Sequence, residues 1–155
     1  MVLYAKRERV MSTAEYAVCA GKYLTFDLNG ERYGVDSMRV VAIIGYQPCT
    51  PLPRARNYVK GLTMVRGKVV PVIDARLRLG MVEGEKTPET CIILLMVGNG
   101  QTGIVVDAVQ DVVDIVEEQL DHVHERIEHD GIIGIAKMEK LIVTLLDVDA
   151  MVSLS

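Results

Sequence analysis

This chain says nearly the same thing twice, and a repeat of this kind restricts the folds open to it. Residues 23–35, YLTFDLNGERYGV, set apolar residues on both sides of Asn29-Gly30. Asn-Gly suits a two-residue type I′ turn, because both of its positions take φ > 0. Residues 91–106, CIILLMVGNGQTGIVV, do the same around Asn99-Gly100. The likeness then continues at constant spacing: Gly34, Val35, Val40 and Ile43 match Gly103, Ile104, Val109 and Val112. A later block matches at slightly larger spacing. Gly61-Leu62 lies over Gly134-Ile135, Val69 over Ile142, Val72 over Leu145, Ile73 over Leu146 and Asp74 over Asp147. Each half therefore reads hairpin, strand, loop, glycine, hairpin, buried strand, Asp.

Roughly five short strands per half suit a small closed barrel, which removes exposed sheet edges. One such barrel has a marginal core. The two should pack against each other with a groove between them. The polar linker 81–90, MVEGEKTPET, divides them into a first barrel of residues 23–84 and a second of residues 85–150. Exchange of strands between the barrels stays open. Helix signals are few. Ser12-Thr13-Ala14-Glu15 resembles a capping box, so residues 1–22 form a short helix or a loose arm. Residues 74–80 make a helical turn ended by Gly80, residues 116–131 a loop or short helix, and residues 147–154 a last turn.

Composition narrows the function. Half of the 155 residues are hydrophobic and the net charge is −4, which suits a real core and disfavours nucleic acid or an anionic membrane as partner. A single Phe, six Tyr and no Trp leave no stacking platform for single strands. No apolar run reaches the roughly 20 residues of a membrane span, and the N-terminus lacks a signal-peptide core. The chain reads as cytoplasmic. Cys19, Cys49 and Cys91 lie far apart with no C-x-x-C, which points to inert buried thiols.

Candidate chemistry is sparse. In HVHERIEH, residues 122–129, His124 and Glu128 share a helix face, yet no further ligands follow at fixed spacing, so a solvated loop is favoured over a metal site. GNGQTG, residues 98–103, joins strands and lacks the G-K-[ST] of a phosphate loop. Asp36, Asp74, Asp107 and Asp147 close strands, which fits turn capping better than acid–base chemistry. No nucleophile elbow or cysteine–histidine set is present. No cofactor is expected. What remains is surface. Arg66 sits beside Gly67 at the lip of the apolar strand KVVPVID, where its fork suits recognition of a partner's acidic or amide groups or simply meets water. Pro51-Leu52-Pro53 form a rigid corner that is a docking patch or a strand lead-in.

These residues carry a family resemblance. YLTFDLNGERYGV, VVAII, PLPRARNYVKGLTMVRGKVVPVIDARLRLG, GIVVDAV and GIIGIAKMEKLIVTLLD, spread from Tyr23 to Asp149, resemble the CheW-like adaptors of bacterial chemotaxis. The most specific piece runs from Gly61 to Arg76, where the family shows an Asn-Leu-Arg-Gly turn, a proline-containing strand and Asp-x-Arg. Met64-Val65 replace Asn-Leu, while Arg66-Gly67, Pro71, Asp74 and Arg76 are kept. Ala42 departs from the acidic residue many members carry at an expected receptor-side contact. The resemblance implies an all-β fold of two SH3-like five-stranded barrels around a shared core, with few short helices and no catalysis. It implies bridging of chemoreceptor cytoplasmic tips to the regulatory domain of the histidine kinase CheA, without insertion into the membrane itself. By family pattern, Val35, Met38, Val40, Gly103 and Ile104 line a receptor groove with Arg66 at its rim. Ile44, Thr50, Leu52 and Val69 fall on the kinase side. The other readings are a small-molecule or metal-binding two-barrel module, and a hydrolase built on Asp and His.

Overall fold

A computed structural model describes residues 20–121 and 131–153. The eleven strands among these residues fall into two sheets. The first hairpin is β1 (Gly21–Leu28) and β2 (Glu31–Asp36), followed by a 3-10 turn at Ser37–Arg39. Next come β3 (Val40–Gly45), the hairpin β4 (Val59–Val65) and β5 (Lys68–Asp74), and the short helix α1 (Ala75–Arg78). The second hairpin is β6 (Cys91–Val97) and β7 (Gly100–Val106). β8 (Ala108–Ile115), β9 (Leu120–Asp121), β10 (Ile132–Lys137), β11 (Ile142–Leu146) and helix α2 (Val148–Met151) complete the described chain. The capping box at Ser12–Glu15, Cys19 and the histidine segment 122–129 lie outside the described residues.

The six-stranded sheet runs β9-β10-β11-β2-β1-β8 and the five-stranded sheet runs β3-β6-β7-β5-β4. The architecture is all-β, and the repeat is real in three dimensions. In one sheet β11 pairs parallel to β2, with Leu145 opposite Gly34. In the other β5 pairs parallel to β7, with Val72 opposite Gly103. These are the residue pairs that the two sequence blocks equate. Each sheet takes its central hairpin from the opposite half of the repeat. Residues 40–106 form one sheet, and residues 21–36 with 108–146 form the other, instead of a division near residue 85.

The hairpin strands are buried on both faces, and this explains their near-continuous apolar runs. Along β1, Tyr23 packs into the six-stranded sheet's own cluster with Val143 and Leu145. Its neighbours Leu24 and Phe26 point to the other side. There they meet Ile73, Ile93, Leu95 and Ile104 of the five-stranded sheet in one shared core. Ile92 and Leu94 of β6 pack with Val70, Val72 and Val105 within the five-stranded sheet.

Turn chemistry follows the strand register. Asn29 and Gly30 take φ 52° and 82°, as a type I′ turn requires. The second hairpin corrects the expectation of an Asn99-Gly100 turn. Val97 pairs with Gly100, so the turn residues are Gly98 and Asn99, with φ 58° at Gly98. Strand alternation sets the register, and a glycine first in the turn meets the positive φ as well as Asn would. Asp74 and Asp147 cap the helices that follow their strands, accepting from the backbone N–H groups of Leu77 and Asp149. Asp36 caps the Ser37–Arg39 turn in the same way through Met38 N–H.

The chain crosses between the sheets at Ser37–Arg39 and at Asp107, and an ion pair guards each crossing. Asp107 accepts from Arg76 Nε at 2.9 Å and Nη2 at 2.6 Å, and from Asn29 N–H at 2.8 Å. Arg39 donates to Asp149 at 2.6 Å and, through Nε, to the Met96 carbonyl at 3.0 Å. Burial would push the Asp107 carboxyl up, but the Arg76 guanidinium and the Asn29 N–H outweigh it and hold the group below its ordinary value.

Two predictions follow from these contacts. Gly61 has φ 130°, and a Cβ there would run into the Thr50 carbonyl, which pairs with Leu62 N–H at 2.9 Å. Gly61→Ala should lower stability by about 1–3 kcal/mol, read as a shifted urea midpoint with unchanged slope. The depressed carboxyl of Asp107 stabilises the fold above the carboxyl's unfolded value and loses that contribution as pH falls through its folded value. Asp107→Asn should therefore flatten the acid limb of the stability–pH curve. An unchanged limb would mean that other carboxylates govern it.

Candidate partner-docking surface

Arg66 and Gly67 form the two-residue turn between β4 and β5, because Val65 pairs with Lys68. Their φ angles of 52° and 81° are those of a type I′ turn. That geometry favours Asn first; an arginine at φ > 0 is strained. Arg66 makes no hydrogen bond or ion pair with any described residue, and its side chain stands in solvent. The turn thus presents an unpartnered cation at the hairpin tip at the expense of backbone comfort.

The next pair along the ladder is Met64 opposite Val69, and both are exposed, at 59% and 61%. They open onto a groove lined also by Gln47, Pro48, Thr50, Leu62 and Thr63. Leu52 stands nearby in sequence at 37% exposure. The far wall is a strap, residues 47–51, tied across β4. Gln47 Nε2 donates to Thr63 Oγ1 at 2.7 Å and to the Met64 carbonyl at 2.8 Å. Thr63 Oγ1 donates to the Pro48 carbonyl at 3.2 Å, and Thr50 forms an isolated bridge with Leu62. Burial pushes the Cys49 thiol up, with Lys60 opposing, and burial likewise raises Cys91, so neither is an activated nucleophile.

The residues expected in a receptor groove separate into two sets. Met38 is 86% exposed beside the β3 edge, and Val40 is half-buried. Val35 and Ile104, each at 0% exposure, sit in the shared core. Gly103 is buried against Ile92, Leu94 and Val72. The reason is the double-sided burial of the hairpin strands, which leaves no outward face at these three positions. On the side expected to meet the kinase, Thr50 and Val69 line the groove beside Arg66. Ile44 instead packs half-buried against the core of the five-stranded sheet. Gln47, Met64 and Pro48 were not expected. Met64 is legible as the outward residue of an alternating strand; Gln47 acts through side-chain bonds that no sequence pattern marks.

A second groove lies at the matching hairpin of the six-stranded sheet. It is lined by Asp27, Glu31, Arg32 and residues 137–142, with Ile142 in the place that Val69 takes in the repeat. Among the described residues, no three His, Cys, Asp or Glu side chains gather as metal ligands. No described helix is long and apolar enough to cross a membrane.

Because the Arg66 turn is strained, Arg66→Asn should stabilise the protein by about 0.5–1 kcal/mol, a rise of about 1–4 °C in Tm. A lower Tm would show that the arginine side chain supports the turn.

Known proteins share this fold. The sequence profile of the CheW-like domain matches residues 22–155. A chemotaxis protein CheW of Klebsiella aerogenes is 37% identical over 91 residues, 59% of this chain and 55% of that one. That of Rhizobium meliloti is 36% identical over 102 residues, 65% of this chain and 66% of that one. The match thus spans between about half and two thirds of these relatives. The crystal structure of the scaffolding protein TtCheW from Thermoanaerobacter tengcongensis superposes with a TM-score of 0.80 at 25% identity, covering 88% of this chain and 94% of that one. A profile match over nearly all of the described residues, joined to this shared fold, places the chain in the CheW-like domain family.

Proposed function

We propose that this chain is a non-catalytic coupling adaptor of bacterial chemotaxis, bridging chemoreceptor cytoplasmic tips to the regulatory domain of the histidine kinase CheA. It would act in the cytoplasm and reach membrane-bound receptor arrays through its partners. The observation that carries this reading is the strained, unpartnered Arg66 beside an exposed apolar groove on a CheW-like scaffold. An arginine fork next to apolar floor residues is the composition of a protein-interaction anchor. The reading assigns the groove of Thr50, Met64 and Val69, with Leu52 at its margin, to the kinase. It assigns the face of Met38, Val40 and Arg66 to the receptor helices, which would lay an apolar stripe there. Val35 and Ile104 would support it from the shared core against which Val40 packs, and Gly103 would let Ile92 and Val72 close up within the five-stranded sheet. The matching groove at residues 137–142 lets one adaptor meet a second barrel-shaped partner at its other end, so that adaptors and kinases can alternate.

Calorimetry with an isolated CheA regulatory domain and with a receptor-tip fragment tests this. Both should bind with Kd on the order of micromolar, as small signalling interfaces do. Val69→Asp should weaken the kinase arm about tenfold or more, and Arg66→Ala the receptor arm about fivefold or more, each with the fold retained. Binding of the folded wild-type chain to neither partner overturns the proposal. Loss confined to the kinase arm in Arg66→Ala would move that residue into the kinase groove.

A further inference from the structure

Among the described residues, three besides glycine take a positive φ, and two of them are arginines: Arg54 at 62° and Arg66 at 52°. The third is Asn29, a residue that such backbone favours. Arg54 follows Pro53 in a turn, at the position where Gly or Asn would relieve the backbone. Both arginines are exposed, and neither makes a hydrogen bond or ion pair with a described residue. They stand toward opposite ends of the groove beside β4. Thr50 pairs antiparallel with Leu62, so the chain beyond Thr50 runs toward the start of β4 and carries Arg54 and Arg56 there. At that start Val59 N–H donates to the Arg56 carbonyl at 3.0 Å. Arg66 and Lys68 mark the other end of the strand, whose 7 residues make about 20 Å of extended chain. Leu62, Met64 and Val69 lie between.

Charge is segregated to match. From Ser37 to Ile73 the sequence has no acidic residue, although the net charge of the chain is −4. Of the cations in that stretch, Arg39 pairs with Asp149 and Lys60 with Glu83, both from outside it. Arg54, Arg56, Arg66 and Lys68 are exposed and have no described partner. The corresponding strands of the second repeat, residues 108–146, carry the opposite sign. Asp111, Asp114, Glu117, Glu118 and Glu139 stand exposed there, against Lys137 and Lys140. The repeat sets a groove at each hairpin, and charge tells the two ends apart.

We propose that the groove of Met64 and Val69 takes an acidic surface of the kinase regulatory domain, an apolar ridge with carboxylates at its ends, and that Arg54 is an arginine that recognises it. This inference rests on the coupling reading above. Like charges gathered on one face repel each other, and no described acidic side chain pairs with these four. Carboxylates of a partner would relieve the repulsion, and a guanidinium fork can hold one through two hydrogen bonds. Backbone strain at Arg54 is what a residue placed for recognition carries, since a solvated loop residue would gain by being Asn or Gly. The same patch repels a basic partner, so a surface suited to the acidic strands of the second repeat would not dock here. Arg66 stands between this groove and the receptor face, and the substitutions below leave it intact.

Calorimetry and stopped-flow mixing of the full chain with the isolated CheA regulatory domain test this. Between about 50 and about 500 mM NaCl the wild-type Kd should rise at least about tenfold, mostly through a slower association rate. Arg54→Asn suits the turn, so it should keep or raise Tm and yet raise Kd about threefold or more at low salt. R54E/R56E/K68E should raise Kd about tenfold or more at low salt, bind the receptor-tip fragment as wild type does, and close on wild type at high salt. A wild-type Kd indifferent to salt, or an Arg54→Asn chain that binds the regulatory domain as wild type does, overturns this inference and leaves the coupling reading standing. Failure of the folded wild-type chain to bind the domain at either salt overturns both. Self-association of the wild-type chain at low salt, seen by light scattering and abolished in R54E/R56E/K68E, would assign the groove to a second copy and overturn its assignment to the kinase.

Discussion

Burial of the central hairpin strands on two faces is the constraint from which the rest of this structure follows. Leu24, Phe26 and Val35 from one sheet and Ile73, Ile93, Leu95 and Ile104 from the other make a core that neither sheet owns. Either sheet alone would expose that face to water, a loss of about 25 cal/mol for each Å² uncovered. The two sheets are thus one cooperative unit. Polar function is driven to the margins, to hairpin tips, crossings and edge strands. Buried Gly34 and Gly103 belong to the same constraint. A Cβ at Gly103 would approach Ile92 Cγ2 to 2.6 Å and press into the sheet's own core.

The groove beside Arg66 inherits its rigidity from this arrangement. β4 is an edge strand, yet the strap 47–51 covers part of it through the Thr50–Leu62 bridge and the Gln47 side chain. Covering an edge blunts pairing with stray strands. It also builds a wall against which Met64 and Val69 form a groove instead of a flat patch. On the opposite flank Arg78 donates to the Ala150 carbonyl at 2.8 Å and stacks on Tyr58, whose hydroxyl donates to the Ser153 carbonyl. Helix α2, at the end of the six-stranded sheet's last strand, is thereby held against residues of the five-stranded sheet. The proposed partner would meet a preorganised frame at the hairpin tip, which lowers the entropy lost on binding.

Local features were legible in the sequence where a local rule governs them. The Asn29-Gly30 turn, the capping roles of Asp74 and Asp147 and the register implied by matching Gly34 with Gly103 all rest on turn chemistry or strict alternation. The Gly98-Asn99 turn was displaced by one residue because two overlapping dipeptides suit a hairpin and only the long-range register chooses between them. Of the candidate residues, Arg66 and Met38 are exposed and Thr50 and Val69 line the groove, as hairpin tips and outward strand positions allow. Val35 and Ile104 were not, because a residue on a doubly buried strand has the same apolar signature as one lining an open groove. The cross-sheet bonds of Gln47, Arg39 and Arg76 depend on segments distant in sequence, where no spacing rule applies.

Exchange of the hairpins is the feature furthest from local rules. Contacts close in sequence form sooner, because loop closure weighs against distant ones before they are rewarded. A repeat makes this worse, since the wrong hairpin offers almost the same apolar face as the right one. Apolar packing cannot settle such a choice cheaply, because it is non-directional and tolerant of similar volumes. Connection length can, because a parallel crossover within one sheet needs about a dozen residues and neither connection has them. Half-exposed ion pairs contribute little to stability as such. The Arg76–Asp107 and Arg39–Asp149 pairs fix the two short connections at which the chain passes from one sheet to the other. The one-residue connection at Asp107 and the three-residue connection at Ser37–Arg39 are too short to cross over a strand within one sheet, so each hairpin is carried into the opposite sheet.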